Sequence, residues 1–135
     1  MEFILTGEAG EQRRLVEALE NFCREKNVPA AARQATDLAL EEHLTNVLSY
    51  GFAPGVAPWI AVRLRVENDA LHVETADTGK PHDPLATPLV DTSVPLAEKP
   101  IGGLGVHLMR QFMDTLDYAH EGGMNVLRMT KRFGA

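Results

Sequence analysis

Two stretches, "WIAVRLRVEND" and "ALHVETAD", limit the possible folds more than anything else in this chain. Ile60, Val62, Leu64 and Val66 alternate with Ala61, Arg63 and Arg65, and Leu71, Val73 and Thr75 repeat the spacing after a short "ENDA" link. Period-two alternation puts the apolar side chains on one face of a strand pair, and that face has to be covered. The cover has to come from helices. Glu11 to Lys26 carries Leu15, Val16, Leu19, Phe22 and Cys23 at helical intervals, and a second helix begins at Pro29 and runs to about Tyr50, where Gly51 ends it. "MEFILTG" reads as a short strand, and "TLDYAHE" with "GMNVLRMTKRF" around Gly122-Gly123 reads as a second hairpin. The order is strand, two helices, two strands, a long loop, a helix and two strands. The expected class is α+β: a two-layer α/β sandwich with helices on one face of a mixed, largely antiparallel sheet.

At 135 residues, 44% of them hydrophobic, the chain is sized for one domain spanning 1–135. A net charge of -6 and the absence of a Lys/Arg run argue against direct nucleic-acid binding and favour proteins or small molecules as partners. Cys23 is the sole cysteine, which excludes an intrachain disulfide, and beside Leu19 and Phe22 it suits a small core residue better than a nucleophile. With no signal peptide and no membrane-spanning apolar run in view, a cytoplasmic protein without a membrane partner is expected.

Three short segments carry chemistry. In "LALEEHLTNVLSYGF", Glu42 and Asn46 are spaced i, i+4 and project from one helix face, while Leu40, Leu44, Val47 and Leu48 form an apolar side. The competing reading is an ordinary solvated Glu and Asn, which fits Glu41 well. In "ETADTGKPHDP", Asp77 stands where a strand stops, outside the expected core, and Gly79 allows close approach of backbone or ligand. A carboxylate there can accept a hydrogen bond from an exocyclic amine, although an Asp-Thr-Gly turn explains the same letters. In "EKPIGGLGVHLMRQFMD", Gly102, Gly103 and Gly105 open a helix whose first N–H groups would be free to meet an anion. They fit neither a dinucleotide fingerprint, since "LAEKP" is a poor strand, nor a P-loop, since Val106 and His107 follow the last glycine. Before them, a stretch of about twenty residues holds five of the eight prolines, the length of a lid or binding loop.

In this order the three segments resemble the Bergerat-type (GHKL) ATP-binding domain of gyrase, heat-shock chaperones, histidine kinases and mismatch-repair ATPases. Within that group the chain is most similar to the small anti-sigma factor serine kinases of bacterial partner switching. The resemblance implies that "EEHLTN" is the N box, with Glu42 as general base toward a serine hydroxyl and Asn46 as a Mg²⁺ ligand in the ATP site. It makes "DTGKPHDP" the first glycine box, with Asp77 on adenine beside Gly79, and "GGLGVHLM" the second, with Gly102, Gly103 and Gly105 on the phosphates. The segment at about 80–101 becomes the ATP lid, with Lys99 near its end. Partners would be an anti-sigma factor antagonist of STAS type, a sigma factor, or both. A homodimer is also implied, for which the sequence offers Phe3, Ile4 and Leu5 as exposed-looking apolar residues. A nucleotide-gated protein-binding module of the same fold, without phosphoryl transfer, would need Asn46, Asp77 and the glycines but not Glu42.

Overall fold

The computed structural model describes residues 1–86 and 109–134. Strand β1 (Glu2–Leu5) leads into helices α1 (Glu11–Glu25) and α2 (Ala30–Tyr50), followed by β2 (Ile60–Glu67) and β3 (Ala70–Asp77). A 3₁₀ turn at Pro84–Ala86 precedes the final strands, β4 (Thr115–Glu121) and β5 (Met124–Arg132). The five strands form one sheet in the order β1-β2-β3-β5-β4. Every pairing among them is antiparallel, so the mixed character expected of the sheet is absent from its described strands.

Both hairpins close through two-residue turns whose central residues have positive φ: Asn68 and Asp69 at 54° and 55°, Gly122 and Gly123 at 60° and 76°. Turns of this hand match the twist of the strands they join, and Asn, Asp and Gly tolerate the conformation. They fix the registers within each hairpin, opposing Leu64 to Val73 and Leu116 to Met129, while the pairing of β3 with β5 sets Val73 opposite Met129. A one-residue slip would move the whole apolar set to the wrong face.

The covered face carries Ile60, Val62, Leu64, Leu71, Val73, Leu127 and Met129, packed with Leu15, Leu19 and Phe22 of α1 and Leu40 and Leu44 of α2 in one core. Leu5 belongs to that core and is fully buried, contrary to its expected exposure, because β1 pairs with β2 and its last residue lies opposite Ile60. Ile4, pointing the other way, stays 39% exposed. Glu11 folds back from the start of α1, and its carboxylate accepts the backbone N–H groups of Thr6 and Gly7 at 2.9 and 2.8 Å. Residues 109–112 are helical, with Met109 and Met113 buried; the glycines expected to open that helix lie outside the described residues. The opposite face of the sheet is polar. Arg63 lies between Glu2 and Glu74, and Arg128 between Glu74 and Glu121, in a row of exposed ion pairs.

Candidate functional site

Asp77 ends β3 with its backbone paired to Ile60 on one side and Asn125 on the other. It is 3% exposed, which overturns the expectation that a strand-end aspartate stays outside the core; the alternation that buries Val73 and Thr75 carries on to it. Its Oδ1 accepts two hydrogen bonds, from the Gly79 backbone N–H at 2.9 Å and from Asn125 Nδ2 at 3.0 Å. Oδ2 accepts none among the described residues. Burial pushes the carboxyl pKa above its ordinary value, while the bonds from Asn125 and Gly79 and the nearby His120 pull it back. One oxygen is thus fixed by the protein and the other is left for a donor.

Asn125 escaped the sequence reading, yet it organises this end of the sheet. Its amide also donates to the carbonyls of Gly79 at 3.2 Å and Lys80 at 3.0 Å, and its Oδ1 accepts the His82 backbone N–H at 3.1 Å and the Tyr118 hydroxyl. The signal was available: Asn125 occupies an inward position of β5, in phase with Leu127 and Met129, and a buried polar side chain in an apolar register has to be satisfied.

Gly79 and Gly51 hold α2 against the end of β3. A Cβ on Gly79 would lie 2.7 Å from the Gly51 carbonyl oxygen and 2.9 Å from Asp77 Oδ1. That carbonyl accepts the Lys80 N–H at 2.9 Å. The close approach expected of Gly79 is therefore made by the protein's own backbone. It joins the C-terminus of α2 to the segment that follows Asp77.

On α2, Glu42 and Asn46 are half-buried one turn apart, and neither side chain has a hydrogen bond or ion pair among the described residues. Glu41 is exposed, as a solvated residue should be. His43, between them in sequence, turns into the protein and is buried, with Nε2 unpartnered among the described residues. Burial lowers its pKa to about 4, and the charge of His82 adds to the effect. The influence of His82 on His43 shows that the middle of α2 lies within electrostatic range of the chain just beyond Asp77. Asp77 and Gly79 thus lie beside the C-terminal end of α2, the helix that carries Asn46 and, one turn further back, Glu42. Gly102, Gly103, Gly105 and Lys99 lie outside the described residues, as does the expected lid beyond residue 86.

Two concavities neighbour these elements. One of about 430 Å³ sits beside Gly79, lined by Tyr50, Gly51, Phe52, Val56, Thr78 and Lys80. The other, about 520 Å³, lies among Arg63, Arg65, His72, Glu74 and Arg128 on the polar face of the sheet, opposite the side chain of Asp77. Its arginines are already engaged with glutamates, so the chemistry gathers at the first end.

The profile of the histidine kinase-like ATPase domain matches residues 6–131. The chain belongs to that family. The relatives of this histidine kinase-like ATPase domain include the serine/threonine-protein kinase BtrW of Bordetella bronchiseptica, 33% identical over 115 residues that make up 83% of this chain and 79% of that protein. The serine-protein kinase RsbW of Bacillus cereus is 33% identical over 98 residues, covering 70% of this chain and 60% of the relative. Among solved structures, the RsbU and RsbW domains of a Mycobacterium tuberculosis protein superpose with a TM-score of 0.66 at 13% identity, over 98% of this chain and 31% of that one. A blue-light activated histidine kinase domain from Erythrobacter litoralis gives a TM-score of 0.53 at 15% identity, over 90% of this chain and 63% of that one. These two likenesses establish the fold. The family match establishes a histidine kinase-like ATPase domain, and the named relatives are protein kinases. No helix among the described residues is long and apolar enough to cross a membrane.

Proposed function

We propose that this domain is an ATP-binding anti-sigma regulatory factor and serine-protein kinase. Its substrate is the serine hydroxyl of an anti-sigma factor antagonist of STAS type in a bacterial partner-switching pathway, and it acts in the cytoplasm. The observation that carries the reading is Asp77, a buried carboxylate whose Oδ1 accepts two hydrogen bonds and whose Oδ2 meets no donor among the described residues, leaving it to an exocyclic amine. Such an oxygen accepts from the 6-amino group of adenine and opposes the 6-oxo group of guanine.

The remaining residues take the other tasks of this reading. Asn46 offers a neutral amide oxygen with no competing partner among the described residues, a hard donor suited to Mg²⁺. When bound, Mg²⁺ supplies neutralisation of phosphate charge. The phosphates are assigned to Gly102, Gly103 and Gly105 and the cover over the nucleotide to the segment at about 80–101, on the likeness of their sequence to the family's second glycine box and lid. Glu42 takes the serine proton as the hydroxyl oxygen forms its bond to the γ-phosphorus; the bond from that phosphorus to the β,γ-bridging oxygen breaks and ADP leaves. Two copies associate, with the exposed side of β1 around Ile4 at the contact.

The test is phosphate transfer from radiolabelled ATP to the cognate antagonist. Glu42→Ala is expected to lose transfer and keep nucleotide binding. Equal transfer by variant and wild type would remove Glu42 from the mechanism. Stable complex formation with the antagonist, without any mass gain on it, would favour a nucleotide-gated binding module over a kinase.

A further inference from the structure

We propose that Asn125 is a positioning residue that sets the base specificity of the nucleotide site, by fixing which oxygen of Asp77 faces the ligand and in which protonation state. The inference rests on the reading of Asp77 as the base contact.

The carboxamide of Asn125 is 7% exposed and every one of its capacities is used. Its Oδ1 has two lone pairs, and two donors meet them: the His82 N–H and the Tyr118 hydroxyl. Those donors leave the amide a single orientation, with Nδ2 toward the carbonyls of Gly79 and Lys80 and toward Asp77 Oδ1. A flipped amide would set its NH₂ against the His82 N–H, and its oxygen against two carbonyls and a carboxylate. The orientation passes to Asp77. An oxygen that accepts both Nδ2–H and the Gly79 N–H is pinned, so the carboxylate cannot rotate without breaking two bonds, and the same two bonds favour its ionised form. A nucleobase therefore meets an acceptor-only oxygen.

Asn125→Asp tests this with almost no change of shape. It replaces the donor facing Asp77 by a second carboxylate, and two carboxylates about 3 Å apart share a proton. When that proton is carried on Asp77 Oδ2, it can be donated to a 6-oxo group, which the ionised form repels. Calorimetric titration of the full chain with ATP and with GTP is expected to show ATP affinity falling about tenfold or more and the ATP-to-GTP preference shrinking by a larger factor. A residue that only braced the fold would weaken both nucleotides alike, leaving the preference intact. Tyr118→Phe is the second variant, half-buried and shape-conserving; it removes one donor that orients the amide and should lower the preference by about threefold. If Asn125→Asp does not fold, Tyr118→Phe decides. An unchanged preference in the folded variants, with the wild type still favouring ATP, overturns the role of Asn125 and leaves the site standing. A wild type that binds both nucleotides equally, or neither, overturns the base contact itself and the inference with it.

Discussion

Replacing Asp77 by Asn separates the duties of its two oxygens. Both described hydrogen bonds to the carboxylate end on Oδ1. The asparagine carbonyl oxygen takes that position, since the alternative would set an NH₂ against the Gly79 N–H and the Asn125 amide. The new Nδ2 then stands where Oδ2 was, and a donor faces the adenine amine. A charge-assisted bond is lost, worth about 1.5–3 kcal/mol, so ATP affinity should drop by about ten- to a hundred-fold. GTP should gain, because its 6-oxo group meets a donor. Stability moves differently. In the wild type the folded pKa of Asp77 is raised, so the native state holds its proton longer than the unfolded chain does. The contribution of Asp77 to stability is therefore greatest below the ordinary carboxylate value and declines as pH rises through the raised one; Asp77→Asn removes that decline. Urea titrations at several pH values, beside calorimetry with ATP and GTP, measure both effects. ATP affinity unchanged in Asp77→Asn would refute the assignment of Oδ2 to adenine.

Gly79→Ala should destabilise the protein by about 1–3 kcal/mol in urea unfolding, because its Cβ would meet the Gly51 carbonyl at 2.7 Å and neither backbone segment can yield freely. For His43, the fall from the ordinary 6.5 to about 4 means that the unfolded chain binds a proton the native state refuses. Roughly 3 kcal/mol of stability, fully present above 6.5, is thus lost as pH falls through that window; His43→Leu should flatten the loss, and an unchanged acid profile would argue against it. Ile4→Asp, on the exposed side of β1, should shift sedimentation toward monomer, whereas a wild type that is already monomeric at high micromolar concentration would remove the dimer.

The elements were legible because their signals are local. Alternation in 60–77, the Gly122-Gly123 turn and the helical spacing of Leu15, Leu19 and Phe22 each state a structure within one window of sequence. Antiparallel pairing throughout the described sheet was harder to read, since strand order depends on which apolar edges meet after the chain has folded. The same limit explains Leu5, whose burial comes from pairing with a strand more than fifty residues away. At the site, Asp77 and Gly79 were visible as letters at a strand end, but their partner Asn125 lies 48 positions on and only the β3–β5 register brings it there. Gly79 shows the limit from the other side. Its need for space was readable, whereas the atom that needs the space belongs to Gly51.

The burial of Cys23 has a use of its own. The side chain is 1% exposed beneath α1, and desolvation raises the thiol pKa, so the reactive thiolate is scarce in the native state. As the sequence has no other cysteine, any adduct formed by a thiol reagent records a moment when α1 has lifted from the sheet. The labelling rate, followed by intact mass with and without nucleotide, becomes a clock for opening events too rare for spectroscopy to register. If nucleotide clasps only the far end of the helix layer, the clock should keep its pace; if the layer moves as one body, it should slow by a factor of one plus the ratio of free nucleotide concentration to Kd.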